Sequence, residues 1–465
     1  MTTRLPVMIA FAFIACLPLP AAAGPDAVNE SSTSSSADIW QQDTLTGDWE
    51  GARTSLENFG VTVAVSEESE VWGNLRGGVK IGAAYDGLTI SSLTFDLAKL
   101  MNWQGATLFA ESYQIHGYGP NSLVGSQQLV SDIEAVPSTR LYQLWIEQAL
   151  DDGRVTIRVG QEGVNDEFMT SKASEIFLNG SFGFPDLAQR DLPGGGPNYP
   201  LPTPMVRAKV QITGQLSYIG AVFNGSPVGR GQDVNPGEED PQYRDLTGTG
   251  FRLQDPPLIV NELWYRVGED KASAPLPGIY KLGAWVHTDS FGLSKDNYTG
   301  LAIPFTLAAP VYKGNFSVYA LADQMVWRKP GSDDEGVTLF GLIMAAPDDR
   351  NASDLYAECG VSVKGVIEGR PDDHFGLGLA YAHTSSAFRR WGEESIALTG
   401  DGKLYAPYEA IIEATYQYQL APWWNIQPDI QYVFNPGASL PPDEPGVTTV
   451  LKNALVIGVR TKIDF

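Results

Sequence analysis

The chain has 465 residues, 55 acidic against 31 basic, for a formal charge of -24 at neutral pH. That excess of acid argues against nucleic acid or an anionic lipid surface as partner. Two cysteines exclude a disulfide-stapled scaffold, whereas 49 glycines, 31 prolines and 11% aromatics describe many strands joined by turns.

Met1 to Ala23 carries an early Arg4, an apolar run from Val7 to Leu19 and the small residues Ala21-Ala22-Ala23, the layout of a cleaved secretory leader. Phe13-Ile14-Ala15 is a poor triplet before a lipid-modified Cys16, so ordinary cleavage is the better reading. Removal of residues 1–23 leaves Cys359 alone and makes the mature chain one unit more negative. Residues 24–44, with the run Ser31 to Ser36, have little to bury and read as a flexible Ser/Thr-rich linker. A short amphipathic helix is expected over residues 45–60. Asp48 serves as its N-cap, Trp49, Ala52, Leu56 and Phe59 form one stripe, and Gly60 is the stop. Burial of that stripe against the periplasmic rim of the same protein is the expectation.

Beyond the leader no apolar run approaches the roughly 20 residues of a membrane helix. Instead, strand patterns recur at 61–72, 84–98, 106–117, 139–150, 154–162, 204–213, 215–224 and 258–268. They continue at 278–288, 315–327, 336–345, 354–365, 374–384, 408–419, 423–434 and 452–465. About sixteen strands, an even number, suit a closed barrel, the only way to cross lipid without helices. Short links such as Asp151 to Gly153 alternate with long ones (Gly225 to Pro257, Asp289 to Lys313, Phe388 to Tyr405), as hairpins with turns on one side and external loops on the other require. The last strand is the clearest. Leu455, Ile457, Val459, Thr461, Ile463 and Phe465 share one face and Arg460, Lys462 and Asp464 the other, greasy outside and wet within. The fold expected is therefore all-β: a transmembrane antiparallel barrel of about 16 strands over residues 61–465, with a short N-terminal helix.

The same parity assigns faces elsewhere. Tyr142, Leu144, Ile146 and Leu150 should meet lipid, and Gln143, Trp145 and Glu147 the lumen; Val155, Ile157 and Val159 point out and Arg158 in. Arg207, Lys209 and Gln211 share an inner face, as do Glu262, Trp264 and Arg266; Lys281, Trp285 and His287; Tyr356, Glu358, Ser362 and Lys364; and Glu409, Glu413 and Gln417. A wall of both charge signs with interspersed tryptophan is better suited to a neutral polyhydroxylated solute than to ions of one sign. Sugar hydroxyls satisfy carboxylates and guanidinium groups, and sugar C–H faces pack on aromatic rings. The substrate-binding candidates are Trp145, Glu147, Arg158, Glu167, Arg207, Glu262 and Arg266. The irregular stretch 163–203 contains Asp166, Glu167, Ile176-Phe177, Phe182, Phe184, Arg190 and the rigid run from Pro193 to Pro200. It is read either as a loop folded inward to form a constriction or as a loop packed on the outer rim.

Several segments together resemble the OprB-type carbohydrate-selective porins. They are Leu45-Thr-Gly-Asp-Trp-Glu-Gly-Ala-Arg-Thr54, Tyr113-Gln-Ile-His-Gly117, Thr139-Arg-Leu-Tyr-Gln-Leu-Trp-Ile-Glu-Gln148, Arg158-Val-Gly-Gln161, Leu178-Asn-Gly-Ser-Phe-Gly183 and Gly195-Gly-Pro-Asn-Tyr-Pro200. Further matches are Ala322-Asp-Gln-Met325, Gly376-Leu-Gly-Leu-Ala-Tyr381, the run from Leu420 to Tyr432, and Asn435-Pro-Gly437. Glu50 stands where a glycine is expected, and Ser226 lies near a position where some relatives carry an aspartate. The resemblance covers nearly all the mature chain and implies a sixteen-stranded outer-membrane channel passing sugars passively, in a Gram-negative bacterium.

The function expected is thus carbohydrate-selective diffusion of mono- or small oligosaccharides, with no catalysis. The partners expected are carbohydrate solutes, outer-membrane lipids and the barrel-assembly machinery, which would read the C-terminal strand ending in Phe465; self-association is left open. The near alternative is a nonspecific or ion-selective porin. A remote one is a secreted β-rich carbohydrate-binding protein or glycosidase using Glu409 and Glu413, but residues four apart on a strand lie roughly 13 Å apart, outside the separations glycoside hydrolysis uses. No cofactor or metal is expected. His116, His287, His374 and His383 lack ligand spacing, and Gly194 to Gly196 lacks the Lys-Ser/Thr ending of a phosphate loop.

Overall fold

A strand that alternates apolar and polar residues needs a different environment on each side, and a membrane-spanning sheet must also leave no edge unpaired. Both demands are met by closure. The computed structural model describes residues 39–229, 240–268, 276–292, 311–399, 405–438 and 451–465; the leader expected over 1–23 and most of the linker expected over 24–44 lie outside the described residues. Among the described residues the strands are β1 Val61–Gly78, β2 Gly82–Asp96, β3 Ala106–Tyr118, β4 Ser138–Leu150, β5 Val155–Glu162, β6 Thr203–Gln211, β7 Leu216–Asn224 and β8 Pro257–Val267. They continue as β9 Gly278–Phe291, β10 Tyr312–Arg328, β11 Gly336–Ala345, β12 Ser353–Lys364, β13 His374–Thr384, β14 Tyr408–Ala421, β15 Trp424–Phe434 and β16 Lys452–Asp464. Each is hydrogen-bonded to the next, and β1 pairs antiparallel with β16 from Ser66↔Asp464 to Gly78↔Lys452, closing the barrel.

Local chemistry accounts for the hairpins. Asp151, Asp152 and Gly153 all adopt positive φ, and Gly153 N–H returns to Leu150 O at 3.1 Å, a turn that only Asp, Asn and Gly form cheaply. The outer wall is apolar over most of its circumference: Ile157, Val206, Leu282, Val318, Ile343, Leu377, Ile430 and Val459 are all exposed. No helix among the described residues is long and apolar enough to cross a membrane.

Two expectations fail at the level of faces. Tyr142 points inward, 1% exposed, because a β-bulge intervenes: Glu111 pairs with Gln143 but Ser112 with Leu141, so Tyr142 is the extra residue and parity slips there. The helix α1, Ala52–Phe59, starts after Gly51, and none of its residues is buried; Phe59 is 65% exposed. Asp48 does accept the Thr54 N–H at 2.8 Å, but the apolar stripe is not covered by the described barrel. This end is held by its polar groups instead: Leu45 N–H bonds Asp464 O at 2.8 Å and Arg53 bonds Phe465 O at 2.7 Å. The expected external loop at Phe388 to Tyr405 is largely a helix, Ser386–Thr399, and residues 293–310 of the loop expected at Asp289 to Lys313 lie outside the described residues.

The interior is not an open tube. Residues 163–202 turn inward, and Phe168, Phe177, Phe182, Phe184, Leu187 and Leu192 form one buried cluster with Phe223, Val260, Trp285, Tyr319, Phe340 and Tyr356 of the wall. A second inward segment, 119–137, buries Leu123, Val124 and Val130 against Trp72, Ile411, Val433 and Val456. Much of the expected lumen face is therefore inward but dry: Trp285, Tyr356, Glu409 and Glu413 are fully covered.

Asp186, on the short helix Asp186–Asp191 of the first inward segment, is 1% exposed, and among the described residues neither of its carboxylate oxygens has a hydrogen-bond partner. Burial, partly opposed by Arg190, pushes its pKa up to about 6. Because the folded value lies above the unfolded one, the proton stabilises docking of the segment at acid pH. Stability falls as pH rises from near 4 through 6, by roughly 3 kcal/mol in all. Asp186→Asn is expected to slow amide hydrogen exchange across residues 163–202 at pH 7.5 and to leave it unchanged near pH 4, read by exchange mass spectrometry.

Candidate functional site: a charge lattice between the inward segment and one wall

Three neighbouring strands place three charged side chains in a single cross-strand row, Glu147 on β4 opposite Arg158 on β5, and Arg158 opposite Arg207 on β6. Side chains so placed lie about 5 Å apart. Two adjacent arginines would repel, and carboxylates on either side neutralise them. Glu147 bonds Arg158 at 3.1 Å and Arg207 at 2.7 Å. Glu167, brought down by the inward segment, receives Arg207 through both Nε and Nη2, the planar two-point pairing that suits a guanidinium, and lies 4.0 Å from Arg158. Glu162 completes the set at 2.7 Å from Arg158, and Thr156 accepts from Arg207 at 2.6 Å.

Exposure divides this lattice by role. Arg207 and Glu162 are 1% exposed and act as its foundation, whereas Glu147 (23%), Glu167 (17%) and Arg158 (13%) keep water contact. Trp145 lies one pleat away, with Arg158 over its ring at 3.8 Å and Phe109 stacked at 5.0 Å. Phe109 comes from β3 and Arg158 from β5, so the ring is engaged from both strands that flank β4.

The other two candidates sit apart. Glu262 is 1% exposed, and its oxygens accept from Met169 N–H at 2.7 Å, Tyr319 hydroxyl at 2.8 Å and Trp264 Nε1–H, so it anchors the inward segment. Arg266 bonds Ser217 Oγ at 3.1 Å and lies 5.0 Å from the Trp264 ring, which Lys209 (4.5 Å) and Lys281 (4.7 Å) also approach. Of the seven residues named from the sequence, the structure brings Trp145, Glu147, Arg158, Glu167 and Arg207 together and adds Glu162, which sequence reasoning did not name although it shares the inward parity of Arg158 four residues on. Arg190 is not part of the lattice and lies over Phe388.

Anchoring of the segments is a chemistry of its own. Asp323 accepts from Ser171 Oγ at 2.5 Å and Lys172 N–H at 3.0 Å; Glu413 from Leu178 and Asn179 N–H at 2.6 and 3.1 Å. Glu409 accepts from Ser126 Oγ and from the N–H groups of Gln127, Gln128 and Gly437. Glu409 and Glu413 are therefore structural acceptors, buried away from any solute. Among the described residues no group of His, Cys, Asp and Glu could hold a metal ion.

A closed sixteen-stranded barrel with an apolar exterior, narrowed from within by two inward segments and lined on one wall by paired charges, defines a porin. Residues 57–465 match the carbohydrate-selective porin, OprB family, and the chain belongs to that family. It is an outer-membrane sugar channel. Among curated relatives, Porin B of Pseudomonas aeruginosa is 26% identical over 447 residues, covering 90% of this chain and 91% of that one. A putative porin, QuiX, of Acinetobacter baylyi is 23% identical over 470 residues, covering 92% and 95%. Of solved structures, the high-pH structure of Pseudomonas putida OprB superposes with a TM-score of 0.76 at 24% identity, covering 91% of this chain and 99% of that one, and supports the fold.

Removing one partner of a buried pair leaves an uncompensated charge, at a cost of about 3–5 kcal/mol. Glu167→Ala is expected to leave Arg207 with Glu147 and Thr156 alone, loosen the inward segment and raise single-channel conductance, with a lower unfolding temperature in detergent. Glu167→Gln, which keeps one acceptor, should fall between the two.

Proposed function

We propose that Glu147, Arg158 and Glu167 form the selectivity constriction for mono- and small oligosaccharides, with Arg207 and Glu162 holding them in register and Trp145 orienting Arg158. The observation that carries this reading is the partial exposure of two carboxylates, Glu147 and Glu167, each already paired with the partly exposed guanidinium of Arg158. A solute must exchange its hydroxyls for hydrogen bonds the lattice makes to itself, so net binding is weak, favourable enough for occupancy and loose enough for release. A lone cation or anion meets both signs at once and gains little. Transport is passive, with no bond made or broken.

The outer mouth supports the same reading. A cavity of about 550 Å3, within the roughly 300–1,000 Å3 of small-ligand sites, lies among Tyr199, Tyr243, Glu134, Asn198 and Gly194 to Gly196. Asn198 is 8% exposed and its Oδ1 has no hydrogen-bond partner among the described residues. Burial raises the Glu134 pKa to about 8, so at neutral pH it can donate as well as accept, as hydroxyl recognition asks. Residues 1–23 are read as the export leader, and the C-terminal strand ending in Phe465 as the segment offered to the barrel-assembly machinery.

The test is glucose flux into liposomes. The double variant Glu147→Ala, Arg158→Ala, inserted at the same density, should lose saturation and the block of single-channel current by sugar while retaining ion conductance. Unchanged rate and saturation would show that selection occurs elsewhere. Flux that does not saturate, with no sugar block, in the wild type would favour a nonspecific pore.

A further inference from the structure

One side-chain row beyond the lattice, toward the turns at Asp151 to Gly153 and 212–215, the balance of charge reverses. The lattice sets three carboxylates against two guanidinium groups. Around Trp264 three cations converge instead, with Lys209 of β6, Arg266 of β8 and Lys281 of β9 lying 4.5, 5.0 and 4.7 Å from its ring. Register accounts for the gathering. Gln211, Ser217, Trp264 and Lys281 form one cross-strand row, and Lys209 stands two residues before Gln211 and Arg266 two after Trp264, so all share the inward face. The ring itself is fixed, 7% exposed with its Nε1–H on Glu262.

These cations differ in what answers their charge. Lys281 Nζ bonds Thr170 O at 2.6 Å and faces the carboxylates of Glu262, Asp323 and Glu175. Lys209 is half-buried and makes no hydrogen bond and no ion pair among the described residues; Arg207 and Arg266, of its own sign, are near it, and the nearby Glu147 and Glu167 are already held by the lattice arginines. An indole face attracts a cation but accepts no hydrogen bond from it as an oxygen would. What completes this place must be negative, small and rich in acceptors. A sugar hydroxyl carries no charge to offset two cations, whereas a phosphate group can take N–H donors from Lys209 and Arg266 on different oxygens, with the exposed Gln211 amide and the Ser217 hydroxyl, 3.1 Å from Arg266, beside them.

We propose that Lys209 and Arg266 bind a phosphate group beside Trp264, on the inner wall between the lattice and the short turns. This holds whether or not the lattice selects sugars, and its test measures binding rather than transport. With the folded protein in a phosphate-free detergent at neutral pH, the phosphorus NMR line of inorganic phosphate is expected to broaden saturably. Lys209→Gln should weaken the affinity at least about tenfold, as the loss of one charge-assisted hydrogen bond implies. Arg266→Gln should do the same, and it takes over if the first variant does not migrate as a folded barrel. A hexose monophosphate that binds more tightly than inorganic phosphate assigns the group to a phosphorylated sugar, and equal affinity assigns it to the free anion. Absence of saturable broadening with the wild type, or broadening that the folded variants retain undiminished, overturns the proposal.

Discussion

Backbone N–H groups carried into a barrel by an inward-folded segment have no strand to bond and little water to reach, and each one left unpaired costs as much as a lost hydrogen bond. The wall solves this with carboxylates. Glu262, Asp323, Glu413 and Glu409 accept from Met169, Lys172, Leu178, Asn179, Gln127 and Gln128, and in return Asp191 of the segment accepts from Ala352 and Ser353 of the wall. These contacts decide where the inner segments lie. The aromatic cluster around Phe177, Phe182 and Phe340 then excludes water from that side.

In the reading proposed above, filling one side of the barrel leaves the solute path on the other. With the wall from β7 to β13 packed against the segment, Glu167 is carried onto the charged row of β4, β5 and β6 and takes Arg207 directly. On that reading the constriction is half wall and half segment. Its charges are paired before any sugar arrives, so passage requires only the exchange of one set of modest hydrogen bonds for another.

How much of this was legible beforehand varies by element. Strand positions and the lumen-facing parity of Glu147, Arg158 and Arg207 followed from period-two patterning, because the inside-outside distinction acts on each residue where it stands. Tyr142 was misplaced by one inserted residue, a bulge that no local pattern announces. The stripe of α1 was wrongly expected to be covered, since amphipathicity says that a face prefers an apolar neighbour without saying that one is within reach.

Parity likewise could not separate Glu147, which touches water, from Glu262, Glu409 and Glu413, which hold backbone. All four are carboxylates on inward positions. The sequence by itself determined the barrel, its strand count and its membership in a sugar-porin family, because alternation, turn residues and the C-terminal aromatic are local and act strand by strand. Only the tertiary structure decided that residues 119–137 and 163–202 fold inward, that one wall stays wet, and which charges meet there. Those outcomes depend on groups far apart in the chain, such as Glu413 and Leu178, finding each other across the interior.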